Sequence, residues 1–310
     1  MINKVKTNRF KIAIVAISIS LLFVGIYCSM PKSDTLTIAV TILPQQEFVE
    51  QVCGEYHPQI MVLIPPGASP ATYELTPKQM QMIGDADIYF KLGSGLPFEN
   101  IWLDKIADLN PGMKIVDCSE GIEILTGMAE EHEIHAHDDA EENRGHHHHG
   151  ADPHIWCSPL NVKIMVDNIA TSLIELDPKH KEVYEKNAPI YKSRLDELDN
   201  EIKAKLAIIS THDFIIFHPA WGYFAHEYDL NQIPIEIEGK EPRADDLMKL
   251  VRLSKEKNIQ TVFASPQFNT ESAKMIAHEI NGKVEFIDPL AKEYIANLRE
   301  VSSKLVEAMR

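Results

Sequence analysis

Eight of the fourteen histidines of this chain lie within residues 129–156, in the stretch "AEEHEIHAHDDAEENRGHHHHGADPHIW". Imidazole and carboxylate groups bind divalent metal ions, and imidazole suits zinc in particular. Because the stretch has almost no large apolar residue before Ile155, it cannot bury enough surface to offset the entropy of ordering its backbone. We therefore expect residues 129–150, the His-rich arm, to have a chemical role, with a merely solvated loop as the alternative. The arm histidines that could bind a metal ion are His132, His135, His137, His146, His147, His148 and His149.

Three further side chains stand where a metal site could form. His218 follows the apolar run "FIIF", Asp288 ends the run "VEFID", and His154 lies just beyond the His-rich arm. In open parallel sheets, ligands bind outside the carboxyl ends of the strands, so residues that follow strands can converge there. Two imidazoles and one carboxylate would form a divalent-metal site that favours zinc. Taken singly, each has a simpler interpretation: Asp288 before Pro289 is typical of a turn, and either histidine could bond to nearby backbone.

The elements that must position these residues are eight short apolar runs in two sets of four. Runs of this length that are rich in Val, Ile and Phe predict strands buried on both faces. Helical patterns separate them, and strand alternating with helix is typical of a parallel sheet. The sequence therefore predicts an α/β protein with two similar lobes. The predicted strands are 36–40, 60–64, 87–92 and 114–117 in the first set, and 214–217, 233–237, 261–264 and 284–288 in the second.

A long helical block separates the two sets, from about residue 178 to residue 208. Apolar residues recur in it at spacings of three and four, which predicts one buried stripe on a charged helix about 45 Å long. Pro189 should kink this helix or mark its first turn. We predict a signal or anchor over residues 1–32, a first lobe with the His-rich arm over 33–177, a linking helix over 178–210 and a second lobe over 211–310.

The first thirty residues look like a targeting segment. A basic start is followed by an uncharged, mostly apolar stretch, residues 12–27, and then by Cys28. This order is typical of a secretory signal or membrane anchor. Cys28 suggests a bacterial lipoprotein, in which the cysteine is acylated after the signal is cut. The bulky Tyr27 fits that processing poorly, and an uncleaved anchor is the alternative. Both place the body at the outer face of a membrane, in the periplasm or at the cell surface.

Charge and cysteine content exclude several other classes. The net charge of −16 argues against nucleic-acid binding, which needs clustered Lys and Arg, and is compatible with cations. Cys53, Cys118 and Cys157 show no CxxC spacing, so they indicate neither a full disulfide framework nor a thiolate metal site. We expect single buried thiols, although one pair could bridge in an oxidising compartment.

Six motifs make this sequence resemble a known family. In chain order, they are "VLIPPGASPATYELTPKQM", "GLPFE", "DPHIWCSPLN", "FHPAWGYFA", "IEGKEP" and "IDPLA". They look like the signatures of the zinc and manganese solute-binding proteins that serve ABC importers, and the resemblance covers about residues 36–310. It implies two α/β lobes joined by one long rigid helix, with the metal in the cleft between them. It also implies an ABC permease and its ATPase as partners, a monomer, and a metal-collecting or metal-sensing role for the His-rich arm.

One position departs from the family pattern. Where the family reads P-H-T-Y-E, this sequence reads "PATYE", so Ala71 occupies the place of the first histidine ligand. Carried over residue by residue, the site keeps the two histidines and the carboxylate named above and loses one imidazole. Water, Tyr73, Glu74 or an arm histidine could fill the open position. We favour water or an arm histidine.

The resemblance and the residues together favour zinc over manganese. Family members that prefer manganese tend to have a carboxylate where this chain has His218, and imidazole suits zinc. A zinc hydrolase is an unfavoured alternative, because the chain has no HExxH motif and no carboxylate clearly placed as a general base. We predict a non-enzymatic, extracytoplasmic protein that delivers Zn²⁺ to an ABC permease. A surface metal buffer or adhesin on the same fold, or a manganese importer component, remains the alternative.

Overall fold

The computed structural model describes residues 35–126, 150–237 and 239–310. Residues 37–310 form one compact unit. Its described part contains two four-stranded sheets, and every strand pair in them is parallel. This confirms the prediction of two α/β lobes with parallel sheets.

The first lobe is built on a sheet with the strand order β2-β1-β3-β4. Its strands are β1 (Thr37–Val40), β2 (Gln59–Val62), β3 (Ile88–Lys91) and β4 (Lys114–Asp117). Its helices are α1 (Leu43–Cys53), α2 (Pro77–Gly84) and α3 (Pro97–Leu109). Ile38, Ala39 and Val40 of the inner strand β1 are at most 1% exposed. Burial on both faces explains why these strands are continuous apolar runs in the sequence.

Two helices lead from the first lobe to the second. Helix α4 (Pro159–Leu176) begins after Ser158, whose hydroxyl accepts a hydrogen bond from the backbone N–H of Asn161. Helix α5 (Lys181–Leu206) has 26 residues and is therefore about 39 Å long. Pro189 lies inside α5, so the alternative in which it marks the first turn is wrong.

Helix α5 lies against both lobes. Its predicted apolar stripe is buried, and consists of Tyr191, Leu195, Leu198, Ile202 and Leu206. The Tyr191 hydroxyl donates to Glu47 Oε1 of α1 at 2.8 Å. Glu201, near the C-terminal end of α5, forms a bidentate ion pair with Arg299, which lies in the last helix of the chain.

The second lobe repeats the architecture of the first, with the strand order β6-β5-β7-β8. Its strands are β5 (Asp213–Ile216), β6 (Asn231–Pro234), β7 (Thr261–Ala264) and β8 (Lys283–Phe286). Its helices are α6 (Gly222–Glu227), α7 (Ala244–Glu256), α8 (Glu271–Glu279) and α9 (Tyr294–Met309), the last of which contains Arg299.

The three described cysteines, Cys53, Cys118 and Cys157, are free and buried, as expected for single thiols. Across the described residues, none of the helices has the length and apolar character needed to cross a membrane.

Candidate metal centre

His154 is held at the entrance to α4 by its own neighbours in the chain. It precedes the 3₁₀ turn Ile155–Cys157. Asp152 Oδ1 accepts the His154 backbone N–H at 2.9 Å and lies 2.7 Å from His154 Nδ1. The carbonyl of the intervening Pro153 accepts a hydrogen bond from the hydroxyl of Ser94, beyond β3 of the first lobe. These contacts fix both the backbone and the ring of His154.

His218 comes from the second lobe, beyond the carboxyl end of β5. Its Nδ1 lies 2.6 Å from Oε1 of Glu236, which follows the neighbouring strand β6. The ring of Phe268, which follows β7, stacks on His218 with the ring centroids 4.3 Å apart. The imidazole and the two groups that hold it therefore follow three adjacent strands, at the edge of the sheet where ligands of such folds bind.

The two imidazoles meet across the lobes. The distance between Nε2 of His154 and Nε2 of His218 is 3.2 Å, and the ring planes are inclined at 77°. An ionised carboxylate only accepts hydrogen bonds, so a carboxylate at each Nδ1 keeps the proton of the neutral ring there. In that tautomer each Nε2 would offer a lone pair, and a cation between the two nitrogens would satisfy both.

The spacing of the two nitrogens suits zinc. Two imidazole nitrogens bound to a tetrahedral zinc ion, each at about 2.0–2.1 Å from the metal, lie about 3.3 Å apart. A carboxylate behind each imidazole is also a common arrangement at metal sites, because it orients the ring and raises its basicity. The pair His154 and His218 therefore has both the spacing and the supporting partners of zinc ligands.

The pKa of His218 is lowered from its ordinary value of 6.5. Burial is the main cause, the hydrogen bond to Glu236 opposes it, and the neighbouring His154 lowers the pKa further. Because a metal-binding imidazole must be unprotonated, the lowered pKa keeps this ring available to a cation in mildly acidic solution.

Asp288 lies on the loop after β8. This loop is hydrogen-bonded to the segment that carries His154. The indole N–H of Trp156 donates to the carbonyl of Pro289 at 2.7 Å. Burial raises the pKa of the Cys157 thiol well above its ordinary range, and the nearby charges of Asp152 and Asp288 raise it further. The loop that carries Asp288 thus lies against the segment that carries His154.

Asp288 does not complete a three-ligand group in this arrangement. Its Oδ1 accepts hydrogen bonds from Gln267 Nε2 at 2.7 Å and from the Leu290 N–H at 2.8 Å. Within residues 35–126, 150–237 and 239–310, no three His, Cys, Asp or Glu side chains are arranged to hold one metal ion. The structure brings together the two histidines, and ligation by Asp288 stays a prediction.

The other predicted positions are less informative. Ala71 is exposed, and the hydroxyl of Tyr73 donates to Gln79 Oε1 at 2.9 Å. Glu74 belongs to no three-residue metal group in the described part of the chain. Cys28 and the seven arm histidines lie outside the described residues, so their predicted roles stay predictions.

Sequence reasoning missed the two carboxylates that face the imidazoles. Asp152 stands inside the "DPHIWCSPLN" motif, and its position two residues before a candidate ligand was an available signal. Glu236 is a charged residue in the otherwise apolar run "IPIEI" and is 8% exposed. A charged group that is buried at a strand end needs a partner, and this need could have identified it.

Known proteins share both the sequence and the fold. The family profile described as "Zinc-uptake complex component A periplasmic" (ZnuA) matches residues 38–308. The high-affinity zinc uptake system protein ZnuA of Bacillus subtilis (strain 168) is 33% identical over 263 residues, which cover 84% of this chain and 80% of that protein. A crystal structure of ZnuA has a TM-score of 0.80 and 38% identity, and covers 89% of this chain and 100% of the other. A zinc-bound ZnuA deletion mutant has a TM-score of 0.79 and 38% identity, with 89% and 98% covered.

The match covers both lobes and the helix between them, and His154 and His218, which lie in two of the motifs, approach each other between the lobes. This chain therefore belongs to the family of the periplasmic zinc-uptake component ZnuA.

Proposed function

We propose that this chain binds Zn²⁺ between its two lobes outside the cytoplasm and delivers it to the permease of an ABC importer. Membership of the zinc-uptake family supports the proposal. The observation that carries it is the approach of His154 Nε2 and His218 Nε2 to 3.2 Å, each ring having a carboxylate at its Nδ1. Zinc is the cargo of the protein rather than a resident cofactor.

The proposed ligands are the two histidines and Asp288. Release of Asp288 Oδ1 from Gln267 on zinc binding would allow the carboxylate to turn toward the metal. Ala71 leaves a fourth position open, which we assign to water or to a histidine of the His-rich arm. Zinc accepts such an arrangement, because three protein ligands plus one exchangeable position are common at its sites.

The proposed setting is a monomer held at the outer face of a membrane. A basic start, an apolar stretch and Cys28 support either an acylated lipoprotein or an uncleaved anchor. Either would keep the zinc-loaded body near the permease and its ATPase. Mass spectrometry of the mature protein from cells tests this: a diacylglyceryl modification on Cys28 supports the lipoprotein, and an unmodified chain that begins at Met1 supports the anchor.

A competition titration with a zinc chelator tests the binding site. We expect His154→Ala and His218→Ala each to weaken zinc binding by more than the 10–100-fold typical of losing an outer partner of a ligand. His278→Ala is the matched control, because the His278 side chain is 89% exposed and pairs only with the adjacent Glu279 in the described structure. Wild-type affinity in both site variants would exclude this site.

A second titration tests the role of the His-rich arm. Thr126 and Ala151, on either side of the arm, pair directly with each other, so a short turn can replace residues 127–149 without displacing His154. If the arm supplies a ligand, the shortened protein should bind the tight zinc ion more weakly. If the affinity for the tight zinc ion is unchanged and the shortened protein only loses the additional zinc ions bound by the arm itself, the fourth position would be assigned to water.

Delivery, as distinct from binding, is tested in cells. Cells that produce only His154→Ala protein should take up less radioactive zinc at limiting concentrations than cells with the wild-type protein. Equal uptake, despite lost binding in the titration, would favour a metal-buffering role.

A further inference from the structure

Asp152 contacts both a proposed zinc ligand, His154, and the second lobe. One of its carboxylate oxygens, Oδ1, holds both the backbone and the ring of His154. Its backbone N–H donates to the carbonyl of Leu125 at 2.9 Å, beside the pair formed by Thr126 and Ala151. The residue thus links the base of the His-rich arm to a proposed zinc ligand.

The other carboxylate oxygen of Asp152 lies against the second lobe at Gly222, the first residue of α6. A Cβ at position 222 would stand 2.1 Å from Asp152 Oδ2, which is far inside contact distance. Gly222 does not have the positive φ that strains other residues. Space for the carboxylate, rather than backbone conformation, is therefore what position 222 requires.

The hydroxyl of Tyr223, the next residue of α6, bonds to both sides of the arm's base. It donates to the carbonyl of Asp152 at 3.2 Å and accepts the N–H of Leu125 at 3.0 Å. The backbone of Asp152 is thus held by the second lobe, while its side chain holds a histidine that is covalently attached to the first.

We propose that Asp152 is a positioning residue for zinc capture, and that Gly222 and Tyr223 of the second lobe set its position. Asp152 accepts the Nδ1 proton of His154 and so directs the Nε2 lone pair toward His218. The second lobe thereby determines whether a ligand on the first lobe is presented to the metal. This inference rests on the proposed function, in which His154 binds zinc.

The tautomer of His154 in the metal-free protein is the most direct readout. Long-range ¹H–¹⁵N NMR at a pH of about 8, where an ordinary histidine is neutral, distinguishes Nδ1–H from Nε2–H rings. We expect the Nδ1–H form in the wild type and a substantial Nε2–H population in Asp152→Ala, Gly222→Ala and Tyr223→Phe. A merely structural role would lower stability without changing the tautomer.

Zinc affinity is measured for the same variants by chelator competition. We expect Asp152→Ala and Gly222→Ala to weaken binding about 10–100-fold, the usual cost of losing the partner of a ligand. Matched controls are Gly84→Ala, where an added Cβ meets nothing within 4 Å, and Tyr228→Phe, whose hydroxyl donates instead to Asp199. Both controls should keep the wild-type tautomer and affinity.

A double variant tests whether Gly222 acts through Asp152. If it does, Gly222→Ala should cost little further affinity once Asp152 is alanine, because the clashing carboxylate is gone and only the milder 3.2 Å approach to Gln232 Nε2 remains. A wild-type tautomer in Gly222→Ala and Tyr223→Phe, or equal losses of affinity with and without Asp152, would overturn the inference. If Gly222→Ala does not fold, Tyr223→Phe alone decides between these outcomes.

The two proposals fail in different ways. Normal zinc binding by His154→Ala would refute the proposed site without affecting the tautomer experiment. A wild-type tautomer in the Gly222 and Tyr223 variants, with zinc binding lost in His154→Ala, would refute only the role of the second lobe.

Discussion

At the scale of single residues, the metal centre depends on how each imidazole is oriented rather than on the number of histidines. Asp152 and Glu236 each face an Nδ1, so that both Nε2 atoms point toward the same point between the lobes. This arrangement suits a cation with affinity for imidazole, and the carboxylates behind the rings, of which that of Glu236 is buried, would partly balance its charge.

Zinc affinity should depend on pH through these histidines. Burial lowers the pKa of His218, so its ring stays unprotonated to a lower pH than an ordinary histidine, whose pKa is near 6.5. We expect constant affinity at alkaline pH and, because the pKa of His218 is lowered, a loss through this ring that begins below the ordinary value of about 6.5 and approaches about tenfold per pH unit. Titrations between pH 5 and 8 check this, and equal affinity at both extremes would contradict imidazole ligation.

Glu236 should affect zinc binding without contacting the metal. Glu236→Ala removes the acceptor at His218 Nδ1, so the ring is no longer held with Nε2 toward the cleft. We expect a 10–100-fold loss of affinity in a chelator competition. Glu241→Ala is the control, because Glu241 accepts a hydrogen bond from Ser272 at the surface. Equal affinities in the two variants would show that the orientation of His218 does not limit binding.

The sequence predicts the histidines better than their partners, for a physical reason. His154 and His218 lie within recognisable motifs, and the structure brings their Nε2 atoms to within 3.2 Å of each other. Asp152 and Glu236 could not be assigned from spacing alone, because their contacts depend on where two loops lie in three dimensions. Asp288 lies near the same region, but whether it binds the metal depends on a side-chain rotation that a sequence does not encode.

At the scale of elements, the second lobe's part of the site lies at the carboxyl ends of its strands. His218, Glu236 and Phe268 follow β5, β6 and β7, respectively, and the His218 ring contacts both of the others. The strands themselves were predictable because burial on both faces makes them continuous apolar runs. Helix α4 was not predicted, although Ser158 followed by Pro159 is a recognisable helix start.

Helix α5 should contribute strongly to stability through its buried stripe. Leu198 is fully buried, so Leu198→Ala should lower the free energy of unfolding by about 2–5 kcal/mol, measured by urea denaturation. Ile190 on the same helix is 53% exposed, and Ile190→Ala should change the free energy of unfolding by less than about 0.5 kcal/mol. Similar losses in the two variants would contradict the assignment of the buried face.

At the scale of the whole molecule, the long helix limits how far the lobes can move apart. It is hydrogen-bonded to α1 through the buried Tyr191 and paired with α9 through the exposed Glu201, so a wide opening would break contacts on both sides. The bond from Trp156 to Pro289 adds a direct link beside the cleft. We therefore expect zinc release to follow from loop movement and loss of a ligand.

Solution scattering checks this restriction of lobe movement. The body after residue 32 should have the same radius of gyration, within error, with and without zinc, because α5 holds the lobes at a nearly fixed separation. The contrasting behaviour is a hinge closure, in which the two lobes swing together around the bound ligand. A clear decrease in radius on zinc binding would show that the helix is not the restraint that its contacts indicate.

A crystal structure of the zinc-loaded protein, with anomalous diffraction at the zinc absorption edge, would show whether one zinc ion binds between His154 and His218. We expect one strong anomalous peak about 2.0–2.1 Å from Nε2 of both histidines. A peak bound to neither imidazole, or to only one of them, would contradict this expectation.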